Sequence, residues 1–279
     1  MFDPKTILAA TDLTARSRAV VDRAAQLARA HGARLVLVHA IEPRSRRIPR
    51  LRPGRHADRS QHASTELERL RAAYPDLDIT CHVAQEQPGT LVPALAEEQN
   101  ADLIVLGLHQ ARRVLDTVRL TNLERITQAT HCPVLIAHSR DATPYRRILG
   151  AITFAPASAQ ALRVASRLAP EAELHAIHAL QLPLSAKLPS TDLMTTTEMT
   201  EAELLRDAFM ALDGLPEHLH LPEIVPGGVH EVLQFRISEL GPDLVVIGSH
   251  SGRDPASLGN YARDLMRAPP TDMLVAKPG

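Results

Sequence analysis

The feature that most constrains this chain is an internal duplication. Three short blocks recur in the same order in both halves: residues 6–11, 101–109 and 132–137 in the first, and residues 147–152, 242–250 and 271–276 in the second. The first two pairs of blocks are each separated by 141 residues. A fixed spacing of this kind indicates a repeated structural unit. The sequence therefore predicts two domains of one kind, residues 1–140 and 145–279, joined by a polar stretch that contains Pro144.

Each half alternates short apolar runs with amphipathic segments. The apolar runs of the first half are residues 7–10, 35–40, 79–83, 103–106 and 134–137, and helical spacing covers residues 15–30, 63–73, 91–99 and 121–129. The second half has runs near residues 148–152, 174–179, 221–225, 244–247 and 273–276. Continuously apolar runs are typical of parallel strands covered on both faces. The pattern predicts the α/β class, as two tandem doubly wound domains with five-strand parallel sheets.

Composition excludes several classes of protein. Two cysteines, Cys81 and Cys132, are too few for a disulfide framework and fit a reducing cytosol. No apolar run approaches the roughly 20 residues of a membrane span, and the N-terminus has no signal-peptide pattern. Aromatic residues make up 3% of the chain, which disfavours the exposed rings of a nucleic-acid surface. We therefore expect a cytoplasmic protein that has neither membrane nor nucleic acid as a partner.

The two halves carry opposite net charge, although the whole chain has a net charge of only −1. Residues 1–140 contain 20 Lys and Arg against 15 Asp and Glu, whereas residues 141–279 contain 11 against 17. The resulting charges of +5 and −6 attract each other within the screening distance of salt water. The charge pattern therefore favours association of the first domain with the second.

Four blocks of the first half resemble the universal stress protein family: residues 7–12, 35–40, 102–109 and 132–136. The second half repeats the pattern, so the resemblance covers nearly the whole chain as a tandem. It implies strand order 3-2-1-4-5 in each domain. It also implies an intramolecular pseudo-dimer in which the fifth strands meet, with a homodimer as a further assembly. The implied function is that of a cytoplasmic stress-response module that binds or regulates.

Some members of this family bind ATP through an Asp after the first strand and a loop after the fourth. The loop reads Gly, two residues, Gly, nine residues, then Gly followed by Ser or Thr, and its glycines let backbone amides approach phosphates. In a doubly wound fold this crevice lies at the carboxyl ends of the strands. The resemblance gives as candidate cofactor-binding residues Asp12, Ala40, Leu106, Gly107, His109, Gln110, Arg113 and Thr121 in the first domain, and Gly248, His250, Ser251, Gly252, Gly259 and Asn260 in the second.

Neither loop matches the ATP-binding pattern in full. In the first domain Gln110 and Leu120 stand at the places of the second and third glycines. In the second domain Thr153 stands at the place of the aspartate, and the loop between Ser251 and Gly259 is shortened. We therefore expect ATP, the one cofactor that the resemblance suggests, to bind weakly or not at all.

Several candidate residues have structural alternatives. Asp12 either contacts a ligand or caps the following helix. His109 and His250 share a register, which indicates either a common ligand contact or a common turn. Arg113 either replaces a lost backbone contact to phosphate or is a surface charge. The Arg-rich segment 44–59 is expected to be a loop that covers an anionic ligand, docks a partner or is merely solvated.

The sequence favours a binding protein over an enzyme. It contains no Walker loop and no nucleophile elbow, and no pair of carboxylates is placed for acid–base work, so we name no catalytic residue. The 14 histidines form no zinc motif, and we expect no metal site. The alternatives are an ATP-binding protein with weak ATP hydrolase activity, and a protein that binds another small anionic or lipid-like ligand.

Overall fold

The chain divides into two compact units, Met1–Pro144 and Tyr145–Gly279, called domain 1 and domain 2 below. The structure is a computed structural model. It describes residues 2–43, 55–108, 121–139, 141–181, 192–249 and 258–277, with the backbone alone at residues 55–57, 192–196 and 260.

Domain 1 contains a five-strand parallel sheet. Its elements are β1 (Thr6–Ala10), α1 (Arg18–His31), β2 (Arg34–Ala40), α2 (Arg55–Ala72), β3 (Ile79–Ala84), α3 (Pro88–Glu98), β4 (Leu103–Gly107), α4 (Asn122–Ala129) and β5 (Val134–Ala137). The strands lie in the order β3-β2-β1-β4-β5, and neighbouring strands are parallel. The chain therefore changes direction across the sheet between β1 and β4, which is where a doubly wound fold opens a crevice.

Domain 2 repeats this architecture. Its elements are β6 (Arg147–Ala151), α5 (Pro156–Leu168), β7 (Glu173–Leu180), α6 (Asp192–Met210), β8 (Glu223–Pro226), α7 (Val229–Leu240), β9 (Leu244–Gly248), α8 (Asn260–Arg267) and β10 (Asp272–Ala276). The strands lie in the order β8-β7-β6-β9-β10, and neighbouring strands are again parallel. Each sheet thus has the order 3-2-1-4-5, as the resemblance implied.

The core of each domain is made by the central strands. Ile7 and Leu8 of β1 and Ile104 of β4 are fully buried, as are Ile148 and Leu149 of β6. Helix α1 packs against β1 and β4, and α5 packs in the same way against β6 and β9. Full burial of such a side chain contributes about 1.5–3 kcal/mol of transfer free energy. The continuously apolar strands therefore hold the carboxyl ends of β1 and β6 in fixed positions.

An aspartate in each repeated block fastens the first strand of its domain. The Asp102 carboxylate accepts hydrogen bonds from the backbone N–H groups of Lys5 (2.7 Å) and Thr6 (3.0 Å). The Asp243 carboxylate accepts the equivalent bonds from Arg146 (2.8 Å) and Arg147 (3.1 Å). These aspartates satisfy backbone donors at the amino ends of β1 and β6, so their repetition has a structural cause.

The structure corrects some predicted boundaries. Helix α1 begins at Arg18, because the residues after β1 form a separate turn. Helix α2 begins at Arg55, so residues 55–59 of the Arg-rich segment are helical and only residues 44–54 lie outside the described residues. Helix α3 begins at Pro88, before the expected start at Leu91, since proline is favoured in the first helical turn.

Among the residues described, no helix combines the length and the apolar character needed to cross a membrane.

Candidate functional site

The carboxyl ends of β1, β2 and β4 place four of the predicted residues at one edge of domain 1. Asp12 follows β1, Ala40 ends β2, and Leu106 and Gly107 end β4. Because parallel strands end at the same edge of a sheet, these residues border one crevice. The side chain of Leu106 is buried, whereas Asp12 is exposed and Ala40 partly exposed. Of these four residues, Asp12 is therefore the one whose polar side chain is available to a ligand.

The turn after β1 holds the Asp12 carboxylate in place. Its Oδ1 accepts a hydrogen bond from the Thr14 backbone N–H (3.0 Å) and another from the Thr14 hydroxyl (2.7 Å). Partial burial would raise the pKa of Asp12, but the bonds from Thr14, a bond from Ser17 and the nearby His39 together lower it. Asp12 is therefore ionised at neutral pH. The capping alternative is wrong, because Ser17, and not Asp12, occupies the N-cap of α1.

The neighbouring residue, Leu13, has a left-handed backbone conformation with φ of 60°. Such a conformation is unfavourable for a bulky residue and needs support from its surroundings. The support comes from Thr11, whose hydroxyl oxygen accepts a bond from the Leu13 N–H (3.1 Å) and lies 2.7 Å from the Ser17 hydroxyl. The turn that presents Asp12 is thus fixed by several hydrogen bonds.

His39, which the sequence analysis did not select, anchors this turn to β2. Its Nδ1 lies 2.9 Å from the carbonyl oxygen of Thr11. Since a carbonyl oxygen only accepts, Nδ1 donates, and Nε2 remains for other contacts. The signal that could have identified His39 is its repetition: His178 occupies the same place on β7, with Nδ1 2.9 Å from the carbonyl oxygen of Ile152.

The glycines at the ends of β4 and β9 have a packing role. A Cβ on Gly107 would lie 2.9 Å from Cγ2 of Val20, on α1. A Cβ on Gly248 would lie 3.0–3.1 Å from the backbone and side chain of Ala157, on α5. Both glycines therefore permit a close approach of strand and helix. This explains why each domain has a glycine there even without a phosphate ligand.

Thr121 and Glu124 form a capping box at the start of α4. The Thr121 side chain accepts a bond from the Glu124 N–H (3.2 Å), and the Glu124 carboxylate accepts one from the Thr121 N–H (2.6 Å). Glu124 is fully buried. The Thr121 hydroxyl can still donate its hydrogen to a ligand. The negative charge of the Glu124 carboxylate, however, already offsets the partial positive charge at the N-terminus of the helix. The start of α4 is therefore less favourable for a phosphate than an uncapped helix.

Domain 2 keeps the turn but not the carboxylate. Phe154 has φ of 56°, like its counterpart Leu13, and the Thr153 N–H donates to the Ser158 hydroxyl (3.1 Å). The Phe154 ring lies 4.7 Å from the ring of His178 and 5.6 Å from that of Phe209. The turn after β6 therefore has an aromatic cluster beside it and no acidic group at the position of Asp12.

Helix α8 also differs from α4. Its N-cap is Gly259, which provides no side-chain hydrogen bond, and Ala262 takes the place of Glu124. The backbone of Asn260 begins the helix. A cleft of about 410 Å³ lies close by, bordered by residues that include Gln181, His230 and Tyr261. Domain 2 thus offers a ligand the backbone N–H donors at the start of α8, whereas domain 1 offers it the Asp12 carboxylate as an acceptor.

The remaining predicted site residues lie outside the described residues. They are His109, Gln110 and Arg113 in domain 1, and His250, Ser251 and Gly252 in domain 2. Their candidate roles stay predictions, as does the role of residues 44–54. Within the described parts of both domains, no group of three or more His, Cys, Asp or Glu side chains is placed to hold a metal ion.

Comparison with known proteins decides the family. The model of the Universal stress protein family matches this chain twice, at residues 4–138 and at residues 144–277. The chain belongs to the universal stress protein family. Two matches along one chain also establish that its two universal stress protein domains are in tandem.

Individual relatives agree with this assignment. Universal stress protein A homolog 1 of Coxiella burnetii is 36% identical over 143 residues, which cover 47% of this chain and 94% of the relative. The crystal structure of a universal stress protein from Archaeoglobus fulgidus has a TM-score of 0.70 at 19% identity and covers 98% of this chain and 96% of its own. A structure from Pseudomonas aeruginosa has a TM-score of 0.63 at 21% identity, covering 99% and 94%. At these identities the two structures support the fold alone.

Proposed function

We propose that this chain is a cytoplasmic stress-response module that binds a small ligand in the crevice of domain 1 and acts by regulation, with no catalytic step of its own. The observation that carries the proposal is the Asp12 turn. An ionised, exposed carboxylate is held at the carboxyl ends of the strands by Thr14, and a supported left-handed residue follows it. Strain of this kind, maintained by neighbouring groups, is typical of binding sites.

The chemistry of the crevice favours a ligand with hydroxyl or amino donors over one that depends on phosphates. Asp12 accepts hydrogen bonds, and the capping box of Thr121 and Glu124 reduces the positive field that a phosphate would need. Gln110 and Leu120 lack the glycine flexibility of the ATP-binding loop. We therefore propose that ATP binds weakly at this site, and that domain 2, with Thr153 at the acidic position, does not bind it through the same contact.

Calorimetric titration of the full chain with ATP tests this proposal. We expect a dissociation constant above about 1 mM, which corresponds to a binding free energy weaker than roughly 4 kcal/mol. Asp12→Ala is the informative variant, and Thr153→Ala, at the matched position of domain 2, is its control. Micromolar ATP binding that Asp12→Ala abolishes and Thr153→Ala preserves would contradict the proposed weakness and establish a nucleotide site in domain 1.

The second candidate function is binding of another small anionic or lipid-like ligand. The aromatic contacts of Phe154 with His178 and Phe209 favour it for domain 2, because they give the turn after β6 an apolar character that the Asp12 turn of domain 1 lacks. Native mass spectrometry of the purified full chain, followed by extraction of whatever co-purifies, identifies such a ligand. A ligand lost in Phe154→Ala but retained in Asp12→Ala would locate it in domain 2.

A further inference from the structure

Helix α6 of domain 2 carries apolar side chains on two faces. Its inner face includes Ala202 and Phe209, which are 3% and 2% exposed, and the helix packs against β8. Its outer face includes Leu204 and Leu205, which are 65% and 53% exposed. A surface helix ordinarily has polar or charged residues on the face opposite the core. The outer face of α6 is therefore an apolar face that the described part of the chain leaves uncovered.

The exposed leucines form one continuous stripe. Leu204, Ala208 and Leu212 are spaced by four residues, which places them on one side of a helix, and Leu205 lies beside them. All four residues are exposed. The helical turn extends to Leu212, because its N–H donates to the carbonyl oxygen of Phe209 (3.1 Å). These four residues, called the leucine stripe below, extend for about 12 Å along the helix.

The leucine stripe is not a requirement of the fold. Domain 1 has the same element in the same place, α2, which joins the second strand to the third. Helix α2 buries Leu67 completely and exposes charged residues such as Arg69 and Arg71. Among the described residues, all the large apolar side chains that are exposed lie in domain 2, and three of these five belong to the stripe. Clustering of this kind, unlike a single exposed leucine, is typical of an interaction surface.

Carboxylates surround the leucine stripe. Residues 197–213 contain five acidic residues and one basic residue, Arg206, so their net charge is −4. Glu201 and Asp207 lie three residues before and after Leu204 and are its neighbours on the helix surface. Both carboxylates are exposed, as is that of Glu203. Arg206 is already paired with Asp207 (3.3 Å). The surface is therefore apolar at its centre and negative at its rim.

We propose that the leucine stripe is a docking site for a basic amphipathic helix of a partner protein. Its spacing of four residues lets the stripe pack along a second helix that has apolar residues at the same spacing. The carboxylates at the rim then attract Lys and Arg side chains that flank the apolar face of the partner. A second copy of the stripe would bring like charges together, and an anionic membrane would repel it. The proposal goes beyond ligand binding, because it gives domain 2 a surface on which a regulatory module contacts its target.

Fluorescence anisotropy of a labelled peptide with the full chain tests this docking. The probe is a peptide of about 18 residues, built from Leu and Lys so that the leucines share one helical face. We expect a dissociation constant below about 100 μM that rises with added salt. Leu204→Ser with Leu205→Ser should weaken binding by about tenfold or more, since two apolar contacts are lost. Leu221→Ser with Phe235→Ser, at side chains that are 60% and 61% exposed outside the stripe, is the matched control and should bind as the unaltered protein does.

A second peptide, with the same residues rearranged so that the leucines are scattered around the helix, is the control for charge alone and needs no variant to fold. Equal binding of the two peptides, or undiminished binding by the stripe variant, would overturn the proposal. So would self-association, or binding to phosphatidylserine vesicles, that the stripe variant abolishes in sedimentation, since the occupant would then be a second copy or a membrane. Failure of peptide binding leaves the proposed ligand site untouched, because Asp12 and the stripe lie in different domains.

Discussion

At the scale of single residues, the two domains keep the same turn but give it different chemistry. Leu13 and Phe154 both have the left-handed conformation, and each follows the position that is Asp12 in domain 1 and Thr153 in domain 2. His39 and His178 anchor both turns by the same contact. The backbone geometry of the site is therefore independent of the acidic group, which only domain 1 retains.

The pKa of Asp12 depends on Thr14, and this dependence is measurable. Thr14→Val removes the hydroxyl bond and should raise the pKa of Asp12 toward its ordinary value, while Thr14→Ser should leave it low. Because the folded pKa is below the unfolded one, the contribution of Asp12 to stability is present above about pH 4 and is lost as the pH falls. NMR titration of the Asp12 carboxyl carbon checks both variants. An unchanged titration in Thr14→Val would show that the hydroxyl bond is unimportant.

Arg23 is a buried cation that sequence analysis did not single out. It is 2% exposed on α1, and its guanidinium donates to the carbonyl oxygens of Asp141 and Thr143. Arg23→Met leaves these carbonyls without their donor and should lower the free energy of unfolding by about 3 kcal/mol. Urea denaturation measures the loss, with the exposed Arg16→Met as the matched control. Equal stability of the two variants would contradict the role of the buried contact.

At the scale of elements, close packing of strand ends against helices sets the shape of the crevice. Gly107 faces the side chain of Val20, whereas Gly248 faces the backbone of Ala157. At Gly107 a new methyl group meets a single side-chain atom, whereas at Gly248 it meets the backbone of the helix, which has to move as a unit. The two glycines therefore differ in how much change they tolerate, although they occupy the same position in the repeat.

Alanine substitutions at the two glycines should reveal this difference. We expect Gly248→Ala to cost about 2–3 kcal/mol of stability and Gly107→Ala about 1 kcal/mol. Val20→Ala should reduce the effect of Gly107→Ala, since it removes the methyl group that the new Cβ meets. Thermal and urea unfolding of the full chain provide the measurement. A larger loss of stability for Gly107→Ala than for Gly248→Ala would contradict this prediction.

At the scale of the whole molecule, the opposite charges of the two domains have a consequence for assembly. Domain 1 residues carry an excess of Lys and Arg, and domain 2 residues an excess of Asp and Glu. The chain also keeps each domain at roughly millimolar effective concentration near the other. These two facts support the prediction of an intramolecular pseudo-dimer, with a homodimer as a further assembly.

Separately produced domains test the pseudo-dimer. Residues 1–144 and 145–279, mixed at low ionic strength, should associate more tightly with each other than either does with itself. Added salt should weaken the association, because screening shortens the reach of the charges to about 8–10 Å. Analytical ultracentrifugation of each domain alone and of the mixture measures this. If the mixture sediments as two independent species at low salt, the pseudo-dimer prediction is wrong.

The sequence by itself determined the duplication, the fold class and the position of Asp12. The order of the repeated blocks and their fixed spacing can be read directly from the chain. A continuously apolar strand such as residues 103–106 is apolar on both faces, and it is therefore buried in the centre of a parallel sheet. The start of α1 was predicted too early, because helical periodicity extends into a turn that Thr11, Thr14 and Ser17 close by side-chain bonds. The hydrophobic periodicity of the sequence gives no sign of these side-chain hydrogen bonds.

Only the tertiary structure decided which groups act together. The contact of His39 with the Thr11 carbonyl joins residues far apart in the chain. Position 248 requires a glycine because a Cβ there would press against Ala157, which lies on helix α5. Contacts of this kind depend on the register of strands and on the distance between helix and sheet. These quantities are set when the whole core packs, and no single segment of sequence contains them.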